Sequence, residues 1–232
     1  MRLILPNKTR AKAALLFISI VLVFSVISIA IQYYIYKVLS AALPLAESSC
    51  IECHIYKIFS DYSRKSIEDA AGAYFVFLSV LFFIEVVCVA SFLMWFYRAY
   101  GNLYKKAGRL KYAKGWAFGG WIVPLLNLYM PFLMIRELFQ KTAELLKDSP
   151  AKIVISRHKI SIWWFLWILN WYVNIRILMA HKKAEDLEQY LGALGIQIFS
   201  TAIFILLLAK TIHLILTCSK AETQLFEESA QG

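Results

Sequence analysis

Apolar residues in this chain come in long unbroken runs, not in the alternations or three-to-four spacings of soluble domains. A bilayer core about 30 Å thick takes about 20 apolar helical residues. Four runs meet that length: 13–35, 70–96, 160–179 and 194–216. They predict an all-α integral membrane protein with four transmembrane helices. A fifth run, 116–135, is interrupted by Pro124 and Pro131 and carries Gly119 and Gly120. Each proline removes a backbone donor, and the glycines loosen the chain. Broken backbone persists at membrane depth only where protein or a wet cavity covers it. This run is therefore either a kinked full span or a re-entrant segment.

Beyond Pro131, the residues Ile135, Leu138, Phe139, Thr142, Leu145 and Leu146 recur at helical spacing across 132–147. Arg136, Glu137, Lys141, Glu144 and Lys147 fall on the other side, with Glu137 and Lys141 in the favourable i,i+4 order. The pattern predicts an amphipathic helix, lying on the cytoplasmic membrane surface or packed on the bundle. Ser149 and Pro150 are expected to end it.

Composition sharpens the class. Of 232 residues, 60% are hydrophobic and only 17% charged, with a mean hydropathy of +0.61. The hydrophobic runs leave little chain for a separate soluble domain. The net charge is +10, but the basic residues flank the apolar runs, which points to anionic headgroups and not to nucleic acid. The run 13–35 is too long for a cleavable signal h-region of about 7–15 residues and fits an uncleaved first span.

Topology follows from Lys and Arg. If 116–135 crosses fully, these residues divide 12 inside to 11 outside, which is no bias. If it re-enters, the division becomes 17 to 6. Cytoplasmic loops favour Lys and Arg, so the re-entrant path is preferred. That path makes 1–12 a basic cytoplasmic N-terminus and 36–69 an extracytoplasmic loop. It makes 217–232 a polar cytoplasmic tail, with its last dozen residues expected to fray.

Two ordered motifs then stand out. Trp95-x-x-Arg98-Ala99-Tyr100-x-Asn102-Leu103 closes the second span. Gly115-Trp116-Ala117-x-Gly119-Gly120-Trp121-x-x-Pro124-x-x-Asn127-Leu128-x-x-Pro131 follows. With Glu137-Leu138 and Trp163-Trp164-x-x-Trp167, they give the region 70–216 a pattern that resembles a bacterial membrane-protein family known only as domain of unknown function 4328. The resemblance implies a multi-span bacterial membrane protein. It carries over no activity, substrate or catalytic residue.

Candidate chemistry is sparse. Glu85 in the second span and Lys210 in the fourth could meet at similar depth, as a structural ion pair or as part of an ion relay. Arg98 and Asn102 lie one turn apart. Arg98 could hold a lipid phosphate or bond carbonyls freed near Pro124, with Asn127 completing that network. Trp116 and Trp121 would share this lipid or partner contact. Asn170 and Asn174 lie one turn apart in the third span, where interhelical hydrogen bonds are the ordinary use of Asn.

Cys50-x-x-Cys53-His54 matches the attachment pattern for c-type haem. Its loop offers no methionine as a second axial ligand, so a local disulfide or free thiols are preferred and no cofactor is expected. No nucleophile–base pair, phosphate loop or metal-ligand pair is evident.

These residues favour a non-catalytic inner-membrane protein that engages lipids or another membrane protein through the Gly-Trp-Pro element and a basic cytoplasmic face. A transporter or channel component, with a polar path near Glu85, Asn127, Asn170 and Lys210, is the main alternative. A redox protein using Cys50, Cys53 and His54 is a weaker one.

Overall fold

A computed structural model describes residues 6–43, 64–147 and 157–231. The motif Cys50-x-x-Cys53-His54 and the expected stop at Ser149-Pro150 lie outside them. Every element among the described residues is a helix: α1 (Lys8–Ala42), α2 (Arg64–Ala107), α3 (Trp116–Ile122), α4 (Pro124–Asn127), α5 (Met130–Leu145), α6 (Arg157–Lys183) and α7 (Leu187–Gln231). Four of them, α1, α2, α6 and α7, are long and apolar enough to cross a membrane, as a multi-pass membrane protein requires. They contain the four expected spans.

The helices overrun those spans. With 45 residues, α7 is about 68 Å long at 1.5 Å per residue, more than twice a bilayer core. The segment expected as a frayed polar tail is its last third. Helix continues because Ile215, Cys218, Ala221 and Leu225 extend a buried stripe past residue 216.

The chain forms two compact units. One comprises Val21–Ile84 and Leu166–Leu206. Here Leu39 packs with Leu187 and Leu191 beside Ile35, Tyr36 and Tyr190. The buried Gln32 accepts a hydrogen bond from Thr201 at 3.1 Å and donates to Ser28 at 3.0 Å. Asn174 donates to the Asn170 carbonyl at 2.8 Å and to Ser200 at 3.2 Å. Each bond satisfies a polar group that lipid could not.

The other unit comprises Met1–Ile20, Glu85–Phe165 and Leu207–Gly232. Its core is aromatic: Trp95, Phe96 and Tyr100 of α2 are fully buried with Met134 and Ile135 of α5. Helix α2 ends where Gly108 takes φ +76°, a left-handed conformation natural to glycine, and its N–H bonds the Tyr104 carbonyl at 3.2 Å.

Candidate functional site

The second of these units contains the Gly-Trp-Pro motif, and its path follows from local rules. Helix α3 stops at Val123, which is extended at φ −77°, ψ 116°, as the residue before a proline must be. Pro124 then opens α4, where a missing N–H costs nothing. The Val123 N–H bonds Gly119 at 3.2 Å and the Asn127 N–H bonds Val123 at 2.8 Å. Two backbone bonds thus close these short turns; the expected capping by Arg98 is not seen, and Arg98 and Asn127 make no hydrogen bond to each other. A second proline, Pro131, starts α5.

The chain then doubles back. A Cβ on Gly120 would sit 2.9 Å from the Met130 side chain, so α3 and the start of α5 touch where only glycine fits. Trp121 packs edge-on against Phe92 and Trp164, with ring centroids 5.6 and 6.4 Å apart, and Phe132 stacks on Trp164 at 6.2 Å. Exposed apolar residues cover the turn: Phe118, Ile122, Val123 and Leu125, the last 78% exposed.

The two ends of this doubled segment are tied at one place. Glu137 of α5 is buried, and one carboxylate oxygen accepts the Lys111 N–H at 2.6 Å. Its other oxygen accepts the Tyr100 hydroxyl at 2.5 Å, and that hydroxyl also lies 3.2 Å from the Tyr112 carbonyl. The expected pairing of Glu137 with Lys141 is therefore replaced. Glu137 faces inward, and Lys141 pairs with Glu144 at 2.7 Å on the outside, which raises the Lys141 pKa. Most of the expected apolar face of α5, including Ile135, Leu138 and Thr142, is buried within the unit.

A second carboxylate anchors the opposite side of α2. Asn102 is two residues beyond Tyr100, about 200° further around the helix. It donates to one oxygen of Glu222 in α7, while Asn7 donates to the other at 3.1 Å and to the Trp95 carbonyl at 3.3 Å. Arg98, half-buried, lies near enough to act electrostatically on Glu222. A cavity of about 20 Å³, room for one water, is lined here by Asn102, Thr142, Cys218 and Glu222.

Both tyrosine and asparagine of the α2 motif thus serve as donors to distant carboxylates. Neither Glu222 nor Asn7 was visible as a partner in the sequence. The stripe through Cys218, Ala221 and Leu225 was the available signal for Glu222.

The other expected residues are more scattered. Trp116 is 38% exposed at the start of α3, and Asn127 is half-buried with its side-chain oxygen unpartnered. Glu85 and Lys210 are both exposed and make no ion pair with each other. Lys210 instead lines a groove with Lys159 and His213, which contains neither Glu85 nor Asn127. Asn170 and Asn174 belong to the other unit and spend their polar atoms on each other and Ser200. Among the described residues, no cluster of His, Cys, Asp or Glu could hold a metal ion.

A profile of one protein family, described as Domain of unknown function (DUF4328), matches residues 58–220. Neither a curated protein nor a solved structure matches the chain.

Proposed function

The chain belongs to that family, and on that premise we propose a non-catalytic role in the bacterial cytoplasmic membrane, with both termini cytoplasmic. Residues 116–135 form a re-entrant hairpin whose apolar tip engages lipid or another membrane protein, while its basic base rests at the cytoplasmic surface. One observation carries this reading: the Lys111 N–H and the Glu137 carboxylate close the hairpin at 2.6 Å, so the chain leaves at the level where it entered.

Depth and polarity agree. Trp121 reaches Phe92 and the base is tied at Tyr100, eight residues along α2, or about 12 Å at 1.5 Å per residue. That is well short of a hydrocarbon core of about 30 Å. Arg98, Lys105, Lys106, Arg109, Lys111 and Lys114 all fall within 98–114, the stretch that leads into the hairpin. Lys114 sits 4.1 Å over the Tyr97 ring, a contact that holds one of these cations in place. Leu125, the most exposed large apolar residue among those described, lies at the tip.

Single cysteines in an otherwise cysteine-free chain test the path. Lys111→Cys and Lys147→Cys should label from the same face with a membrane-impermeant maleimide, and Leu125→Cys should resist it. Labelling of positions 111 and 147 from opposite faces would refute the hairpin. A photoreactive amino acid at Leu125 should crosslink to lipid or to one neighbouring membrane protein; a tip crosslinking to neither has no such role.

A further inference from the structure

A groove of about 340 Å³ opens between the start of α6 and the middle of α7, lined by Lys159, Ile160, Trp163, Ala209, Lys210, His213 and Leu214. We propose that it binds the phosphate group of an anionic ligand, with Lys159, Lys210 and His213 as its donors. This inference uses none of the hairpin residues, so the two proposals stand or fall separately.

The geometry is built from both helices. Lys210 and His213 are three residues apart, hence on one face of α7. Lys159 lies near the start of α6 and faces the same opening. The wall between them is fixed: Trp163 is buried, and its indole N–H donates to the Thr211 hydroxyl at 2.9 Å, which in turn donates to the Leu207 carbonyl at 2.8 Å. That fixed wall keeps the three basic groups on one opening.

Charge is the telling feature. Among the described residues, no Asp or Glu lines the groove, and Lys159, Lys210 and His213 make no ion pair or side-chain hydrogen bond. Two lysine ammonium groups around one concavity, on a helix pair otherwise suited to lipid, repel each other wherever water is scarce. An anion relieves that repulsion and takes up their donors. The volume admits a phosphate group, and the apolar wall of Ile160, Trp163 and Leu214 suits a group that carries carbon chains. A phospholipid headgroup and a free phosphate share this chemistry.

The purified full chain in a zwitterionic detergent should be titrated with short-chain phosphatidylglycerol, short-chain phosphatidylcholine and inorganic phosphate, with heat of binding as the readout. Saturable binding of phosphatidylglycerol but not phosphatidylcholine is expected. Lys210→Gln and Lys159→Gln should each weaken it about fivefold, from about one kcal/mol per basic residue near a headgroup. Lys220→Gln removes the same charge from an exposed site on α7 outside the groove and should change nothing.

If inorganic phosphate binds and shows the same dependence on Lys159 and Lys210, the site stands with a free anion as its source. Equal binding of both lipids, or equal weakening by Lys220→Gln, would overturn the proposal. All three substituted lysines are exposed, so each variant should fold, and its thermal transition confirms it.

Discussion

The carboxylate of Glu137 closes the hairpin, and its energetic weight can be worked from its partners. Glu137→Ala removes the acceptor of two hydrogen bonds, at 2.5 Å from the Tyr100 hydroxyl and 2.6 Å from the Lys111 N–H. The phenol can turn to the Tyr112 carbonyl, already 3.2 Å away. The Lys111 N–H loses its acceptor at an exposed residue where water replaces it in part, so this loss falls at the low end of the about 1–3 kcal/mol for a stranded donor, about 1 kcal/mol. With the loss of one carboxylate bond, about 1.5–3 kcal/mol, the substitution should destabilise the hairpin base by about 2.5–4 kcal/mol. Tyr100→Phe removes only the phenol bond and should cost about 1.5–3 kcal/mol.

The double variant separates the pair from its surroundings. If the two side chains act on each other, its cost falls short of the summed single effects by about 1.5 kcal/mol, above the roughly 0.6 kcal/mol average for hydrogen-bonded pairs in membrane proteins. Proteolysis provides the local readout, because Arg109, Lys111 and Lys114 place tryptic sites in the loop that Glu137 holds. A local cost of about 3 kcal/mol raises the open population, and with it the cleavage rate, by about two orders of magnitude. Additive effects, or a loop no more sensitive to trypsin in Glu137→Ala, would refute the assignment of Glu137 as the clasp.

Other expectations follow from the same unit and its neighbour. Gly120→Ala forces a methyl to 2.9 Å from Met130, so overpacking of about 1–3 kcal/mol should outweigh the helical gain of about 1 kcal/mol. Gly119→Ala, whose nearest neighbour would be Trp116 at 3.5 Å, should be neutral or stabilising in the same detergent melting experiment. Asn102→Leu leaves a Glu222 oxygen without its amide and should cost about 1.5–3 kcal/mol. Adding Glu222→Leu should recover part of that loss, and no recovery would mean that the two do not interact. Asn174→Leu, which breaks contacts to Asn170 and Ser200, should cost only about 0.6 kcal/mol by thermal unfolding.

What the sequence disclosed depends on the length scale of each feature. The four membrane helices were legible because twenty consecutive apolar residues admit little else in a chain this hydrophobic. Their ends were not: Leu216 looked like a boundary because polar residues follow, yet one apolar residue every third or fourth position keeps α7 packed through Leu225. Pro124 and Pro131 announced the breaks, since a missing donor and a restricted preceding residue are local facts. Glu137 was misplaced because spacing offered Lys141 a turn away, whereas its true partners, Tyr100 and Lys111, lie 37 and 26 positions earlier. Pairs separated by such distances leave no periodic trace. The groove at Lys159, Lys210 and His213 escaped for the same reason, being contributed by two helices about 50 residues apart along the chain.

The two carboxylates explain why a hairpin made of helices of seven and four residues can hold its shape. Isolated helices that short are unstable in water, because nucleation costs more than a few hydrogen bonds return. Their stability must come from what they are attached to. Glu137 fixes the hairpin base to one side of α2 through Tyr100, and Glu222 fixes α7 and the start of α1 to the other through Asn102 and Asn7. The end of α2 is thereby braced on both sides, and the aromatic stack of Phe92, Trp121 and Trp164 packs on that braced helix. If the apolar tip engages lipid or a partner helix as proposed, this support leaves it little freedom to lose. A large share of its contact energy is then kept as affinity, the advantage of a preorganised surface over a flexible loop of the same composition.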